Sequence, residues 1–462
     1  MNRRRFLASS AGALAGCALP RLVLAATGPG LIELDAVKGQ AELYGKEGKL
    51  SDLWLYNGSL PGPELRLRKG ETLSVRFTNR LDEPTSIHWH GIRIDNAMDG
   101  VAGLTQPPVQ PGESFDYTFT VPDAGTFWYH AHTMSWNQVP RGLSGVLIVE
   151  EETPFVPRDR DLTLFLSDWR LDEEGVLITA GLGSMHDFSH AGRLGNWLTV
   201  NGQSRPDIPV VRGAWHRLRL VNASSARVLD LEPSRFGAQL LALDGQALPA
   251  LRKVEGPVRL APGQRMDLVI KPEGDLPIPF ELTTGQPFVF ARFLPRDAAA
   301  GAADDDLPAL PAPNALPEPN LANARELPLE MAGGAMGGMR IMMQRGLDPQ
   351  ALMADGKFWI FNGAPGSLET PMFKVARGES VVLNVSNLSG FPHAVHLHGH
   401  HFRVLELNGT EQDPADWHDT VTLEPEDRAR IAFVADNPGK WLLHCHMLGH
   451  AASGMTGWFE VA

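Results

Sequence analysis

Along most of the chain, short β-branched or aromatic runs alternate apolar and polar residues and stop at Gly, Pro, Asn or Asp. Examples are ETLSVRFTNRL (71–81), ESFDYTFTVP (113–122), GVLIVE (145–150), DLTLFLSDW (161–169), MDLVIKP (266–272) and SVVLNVSNL (380–388). Side chains two apart on a strand share a face, so period-two runs bury one face and leave the other to solvent. Long 3.6-residue periodicities are few. The pattern predicts an all-β chain of antiparallel β-sandwiches.

The pattern also repeats. LRLRKGETLSVRFTNRL (65–81) and FKVARGESVVLNVSNLS (373–389) share a strand, a Gly-Glu turn, a strand and an Asn. PPVQPGESFDYTFTVPDAGTFWYHAH (107–132) parallels LEPEDRARIAFVADNPGKWLLHCH (423–446), and both end in histidines two apart. Two alike domains at the ends are expected, with a middle one that keeps the strands and lacks such motifs. The stretch 296–330 is rich in Ala, Pro and Asp and reads as a linker that need not pack. The expected domains are 30–150, 155–295 and 331–462.

Residues 1–25 have a basic start, an apolar stretch and small residues before Ala25, the layout of a removable secretory leader. Arg3-Arg4, followed by Arg5, Phe6 and Leu7, resembles a twin-arginine export signal and predicts a periplasmic address. Leu14-Ala15-Gly16-Cys17 also resembles a lipoprotein cleavage box, so lipidation at Cys17 is the secondary expectation. Cleavage near Ala25 is preferred because Val23-Leu24-Ala25 fits and the other leader would be unusually short. The formal charge of −13 includes four leader arginines, so cleavage leaves −17. An acidic chain without a basic stripe argues against nucleic acid. No other segment has the roughly 20 apolar residues of a membrane helix. A monomer is expected.

With Cys17 in the leader, Cys445 has no disulfide partner in the mature chain, and it stands between two histidines in WLLHCHMLGHAASGM (441–455). A buried free thiol is ordinarily an inert core residue. The histidines argue otherwise. Four clusters stand out: His88 and His90 in SIHWHG, His130 and His132 in WYHAH, His393, His396 and His398 in HAVHLHGH, and His444, His446 and His450 around Cys445. Each pair two apart shares a strand face, so Cys445 must point away from His444 and His446. On its side, His450, Met455 and His393 complete a His₂Cys set with a weak axial thioether, the ligand set of a blue copper centre. Eight histidines remain on the other side, from both ends of the chain, and eight imidazoles can hold three copper ions. A lone HxH is most often a surface feature or a zinc coincidence; four matched ones with a trailing His and Met are not. His186, His190, His216, His400, His401 and His418 belong to no such set and are expected to be structural or exposed.

These four motifs resemble those of the multicopper oxidases, the family of laccases, copper-resistance oxidases and ferroxidases, over nearly the whole mature chain. The resemblance implies three consecutive cupredoxin-like Greek-key domains and four coppers. It assigns a type 1 copper to His393, Cys445, His450 and Met455, and a type 2 copper to His88 and His396. A type 3 pair falls to His90, His130, His132, His398, His444 and His446. It implies four one-electron oxidations of a donor coupled to reduction of O₂ to water, with Cys445 joining the two sites. Four protons are needed as well, and Asp99, nine residues after His90, matches the family's acid near the oxygen side; an Asp-Gly turn is its plainer role.

Two departures matter. Many bacterial relatives carry an acid directly after the second blue-copper histidine, whereas this chain has Ala451. The positions before His393 are Gly390, Phe391 and Pro392, without the acid or Met of some copper-detoxifying relatives. Residues 331–353 hold six of the 14 methionines. Thioethers suit Cu(I), so Met336, Met339, Met342 and Met343 are candidates for an extra Cu(I), against the alternative of an adaptable apolar segment. Other readings of the chain are a sequestering copper-resistance protein and a copper-free scaffold. The scaffold relatives have lost ligands that are all present here.

Overall fold

The computed structural model describes residues 30–45, 48–283, 287–297 and 306–462. The leader, with Arg3, Arg4, Cys17 and Ala25, lies outside the described residues. The alternating runs form strands where the pattern places them: Thr72–Asn79, Ser114–Thr120, Ser144–Glu150, Asp161–Trp169, Arg265–Ile270 and Ser380–Asn387. The fold is all-β, and the described residues form six sheets that face each other in pairs. In the first pair, Leu34, Val75 and Phe77 from one sheet pack on Leu65, Tyr129 and Leu147 from the other. Fully burying such side chains contributes about 1.5–3 kcal/mol each, which is what holds two sheets face to face. The middle and last pairs are built alike, each from a seven-stranded and a five-stranded sheet.

The sheets are mixed, not purely antiparallel. Ile32–Glu42 runs parallel to Thr72–Asn79, Asp161–Trp169 to His216–Asn222, and Arg325–Gly333 to Ser380–Asn387. Chain that crosses to the facing sheet before returning lays its next strand parallel to the first. The internal echo extends to the middle sandwich through one residue. Asn79, Asn222 and Asn387 each end one of these strands and are fully buried. Each accepts the backbone N–H two residues on at 3.0 Å, and donates through Nδ2 to one carbonyl of the connecting loop (Glu83, Arg227 or Phe391) and to one from a segment distant in sequence (Val109, Leu260 or Leu423). One amide thus satisfies a buried crossover that would otherwise strand its backbone groups.

Two features differ from the expectation for 296–330. The described part packs: Leu310 lies against Phe155, Val156, Leu241 and Val269. The Asn314 amide donates to the Ala124 carbonyl at 2.8 Å and accepts the Ala124 N–H at 3.0 Å. A Pro-rich stretch buries side chains without forming a sheet, so composition suggested slack where there is a strap. The strand Arg325–Gly333 also begins before 331, and its Leu329 and Met331 enter the last core.

The sandwiches are joined so that the first and last share a face. Asn96 donates to the Lys440 carbonyl at 2.7 Å and accepts the Lys440 N–H at 3.1 Å. Lys440 lies on the strand Gly439–Cys445, so this contact registers the Cys445 strand against the loop that carries Asp99. Among the described residues no helix is long and apolar enough to cross a membrane.

Candidate metal centre

The strand Gly439–Cys445 pairs with His393–Leu397, with His396 opposite His444 and Val395 opposite Cys445. Directly opposed residues share a face, so His396 and His444 emerge on one side and Cys445 on the other. Cys445 Sγ lies 3.6 Å from His393 Nδ1 and 3.7 Å from His450 Nδ1, and those nitrogens are 3.1 Å apart. The outer nitrogens are taken: His450 Nε2–H donates to the His190 carbonyl at 2.6 Å, and His393 Nε2 meets Ser389 Oγ at 2.8 Å. Ser389 is itself held by Asn387, the buried amide of the crossover. Such outer partners fix ring orientation and leave Nδ1 free to bind a metal. Met455 is buried in the same core cluster, and its carbonyl accepts the Cys445 N–H at 3.0 Å. Burial pushes the Cys445 thiol up to about 12 and the His450 imidazole down to about 4. Burial, then the neighbouring His450, holds His393 well below the usual range.

On the opposite side, histidines of the first and last sandwiches interleave. His88 stacks on His398 and His90 on His396, each with ring centroids 3.8 Å apart. His398 Nε2 and His444 Nε2 are 3.2 Å apart. The His132 ring lies 5.1 Å from His398, and the His446 ring 4.9 Å from His90 and 5.3 Å from His130. Three sets bring their donor atoms within 4.8 Å of one another: His88, His396 and His398; His88, His90 and His130; His132, His398 and His444. The eleven His and Cys residues expected to bind the four coppers therefore lie in two clusters joined by His444-Cys445-His446, with Met455 buried beside the Cys445 cluster.

Five of the eight rings tie Nδ1 down. His88 bonds the Asp99 carbonyl at 2.8 Å, His396 the Asp419 carbonyl at 2.8 Å, His444 the Cys445 carbonyl at 2.9 Å and His130 the Ala131 carbonyl at 3.1 Å. His398 bonds the Asp99 carboxylate at 3.0 Å. The inner atoms have no such partner: Nε2 of His88, His130 and His396, and both nitrogens of His90 and His446, are buried without a hydrogen bond. His90 Nε2 only approaches Asp419 Oδ1, at 3.4 Å. A buried polar atom left so costs about 1–3 kcal/mol, and here several converge on one space. Burial, first of all, keeps His90, His130, His132, His398 and His446 well below their usual range and His444 at about 3. Neutral imidazoles with converging lone pairs, beside a thiol and a thioether, fit copper.

Comparison with known proteins agrees. Residues 39–154 and 343–462 each match a multicopper oxidase family model. Multicopper oxidase mco of Staphylococcus aureus is 30% identical over 440 residues, 93% of this chain and 88% of that one. The chain belongs to the multicopper oxidase family. The crystal structure of a multi-copper oxidase from Pseudomonas thermotolerans superposes with a TM-score of 0.83 at 34% identity, over 95% of this chain and 100% of that one. Lac15 from a marine microbial metagenome gives 0.75 at 35%, over 94% and 100%. Membership makes the chain a copper-dependent oxidase with a cupredoxin-like fold, which uses O₂ and a reducing substrate.

Asp99 lies beside the histidine cluster, bonded to His88 through its carbonyl and to His398 through its carboxylate. It closes the short 3-10 helix Asn96–Met98, and Gly100 follows with φ +82°, where a Cβ would lie 1.7 Å from the Ile87 carbonyl oxygen. The tight turn turns the Asp99 carbonyl to His88 and its carboxylate to His398. The pattern did not single out Asp419, fully buried, whose carboxylate lies 3.4 Å from His90 Nε2 and 3.5 Å from His396 Nδ1. Burial raises a carboxyl, but the Arg265 guanidinium overrides it and holds Asp419 well below the usual range. Gly263, at φ +89°, lets the middle sandwich approach: a Cβ there would meet the His446 ring at 2.9 Å. Of the other histidines, His216, His400 and His401 are buried and hydrogen-bonded, His418 is half-buried and His186 exposed.

The methionine segment is divided. Met336, Met339 and Met343 are exposed, but Met342 is buried with Ala332 and Ile360. On the helix Gly338–Gln344, Met342 takes the inward face. The expected four-methionine set is thus three surface residues and one core residue.

Proposed function

We propose that the oxidase couples four one-electron oxidations of a donor, Cu(I) or an electron-rich phenol, to reduction of O₂ to two waters. Four coppers would serve it: His393, Cys445, His450 and Met455 would hold the type 1 ion, His88 and His396 the type 2 ion, and the other six histidines the type 3 pair. Copper, when bound, supplies the one-electron chemistry at the thiolate side and O₂ reduction at the histidine cluster. The observation that carries the reading is that one tripeptide serves both donor sets, Cys445 on one face and His444 on the other.

The chain's own residues do the rest. Burial excludes water from both clusters, and the outer hydrogen bonds orient the rings of His88, His130, His393, His396, His398, His444 and His450. Asp99 holds the Nδ1 proton of His398 and is the group placed to pass protons toward the cluster. The thioether of Met455 favours a low or middling potential and so an easily oxidised donor. The resemblance of the N-terminal sequence to a twin-arginine export signal supports a periplasmic site of action. The test is stoichiometry in an oxygen electrode. Four donor equivalents consumed per O₂, without peroxide, is the expected result. Two equivalents per O₂ with peroxide released would contradict it.

A further inference from the structure

The two histidines of the Cys445 cluster turn their inner nitrogens to the thiol and their outer ones to different kinds of partner. His450 is capped by the middle sandwich. Three consecutive carbonyls there accept from the last sandwich: Phe188 from Trp359 Nε1 at 2.5 Å, Ser189 from the Ala335 N–H at 2.7 Å, and His190 from His450 Nε2 at 2.6 Å. That cap is backbone, so no side-chain substitution at 190 deletes it. His393 is capped by a side chain instead, Ser389 Oγ at 2.8 Å. Both rings are fully buried and lie against the Trp359 indole, at 4.3 Å for His450 and 4.9 Å for His393.

The cluster sets the direction of the Ser389 bonds. His393 Nδ1 faces Cys445 Sγ at 3.6 Å, so a ring that gives Nδ1 to a metal keeps its proton on Nε2 and donates it to Ser389. Ser389 Oγ has one proton of its own, and its nearest acceptor is Asn387 Oδ1 at 2.8 Å, against 3.1 Å for the Phe391 carbonyl. Asn387 is fully buried and anchored through Nδ2 to the carbonyls of Phe391, Glu424 and Leu423 at 2.7, 3.0 and 3.1 Å. Ser389 itself is 4% exposed, so water does not compete for its hydroxyl. An imidazole whose outer N–H is accepted in this way is a more basic ligand. More basic nitrogen donation favours Cu(II) over the softer Cu(I).

We infer that Ser389 is a positioning residue that lowers the potential of the copper at Cys445, by accepting the outer N–H of His393 from a fixed place on the Asn387 crossover. This rests on the reading of His393, Cys445, His450 and Met455 as a type 1 site, and adds what sets the driving force there. The His393 proton stays on Nε2 in both oxidation states, so the step moves one electron from the donor and no proton. Of the two caps, Ser389 is the one that a side-chain change can tune.

The test is a spectroelectrochemical titration of the blue band in the copper-loaded protein. Ser389→Ala should stay blue, which shows folding. Its one-electron equilibrium with a redox mediator should shift about tenfold toward Cu(I), or about 59 mV upward. Ser389→Gly, which also lacks the hydroxyl, should shift the same way. Ser389→Thr keeps the hydroxyl and should hold the parent potential, whereas a residue that merely filled the turn would be disturbed more by the extra methyl of Thr. An unchanged potential in blue Ser389→Ala, or a shift in Ser389→Thr as large as in Ser389→Ala, would overturn the inference. A colourless copper-loaded parent would instead overturn the type 1 reading on which it rests.

Discussion

Asp419 and Arg265 form a fully buried, two-pronged ion pair between the middle and last sandwiches, with Oδ1 2.8 Å from Nη1 and Oδ2 2.6 Å from Nη2. Arg265 also donates to the Asp244 carbonyl at 2.9 Å. The sandwich that supplies none of the paired histidines therefore supplies the charge that keeps a carboxylate in place among them. Removing one partner leaves the other charge buried and alone. Arg265→Leu should destabilise the protein by about 3–5 kcal/mol, and adding Asp419→Asn should recover part of that loss. Denaturant unfolding of the two variants measures it. Equal stability of parent and Arg265→Leu would show that the pair holds nothing together.

Asp99→Asn keeps an oxygen that can accept from His398 but gives up the carboxylate that can hold a proton. Oxygen uptake should slow by about 100-fold, while anaerobic bleaching of the blue colour by donor keeps its rate. Ala451 offers no second acid beside His450. Equal slowing of both steps would make Asp99 a turn residue alone.

The copper-free protein should be sensitive to acid. An unfolded imidazole titrates near ~6.5, whereas in the fold His444 lies at about 3, His450 at about 4 and six neighbours well below their usual range. Below ~6.5 the unfolded chain thus binds more protons than the folded one. Stability is full above that pH and falls as pH drops, by up to about 1.4 kcal/mol per pH unit for each such histidine. Copper holds the rings neutral, so the loaded protein should keep its midpoint further into acid. Thermal midpoints of both forms from pH 7 to 4 decide it; a flat profile for the copper-free form would contradict the burial.

Met342 and Met339 should part company. Met342→Ala opens a cavity in the core and should cost about 2–5 kcal/mol. Met339→Ala, at a half-exposed position, should change stability by less than about 0.5 kcal/mol. Similar losses at both would return Met342 to the surface set.

Much of this was legible because strand periodicity is strict. HxH means one face, and HCH means two, so the division of donors between two clusters follows from alternation before any contact is known. The pairing of His396 with His444 across two strands then supplies the third dimension. Partners that act through backbone or from other sandwiches left no such mark. The His190 carbonyl has no side-chain signature, and Arg265 lies 154 residues from Asp419 in a stretch without motifs. A run of methionines reads as one set, while a helix of about two turns already divides it into two faces, with Met342 on the inner one.

The central claim is that Cys445 and the paired histidines hold copper in two linked sites, and metal analysis of the copper-loaded protein with its visible spectrum tests it most directly. The parent should carry about four coppers per chain and be blue from thiolate-to-copper charge transfer, as a His₂Cys site with an axial Met requires. Cys445→Ser should lose the colour, the oxidase activity and one copper, and keep the three held by the eight histidines. A Cys445→Ser protein that stays blue and active would contradict the account.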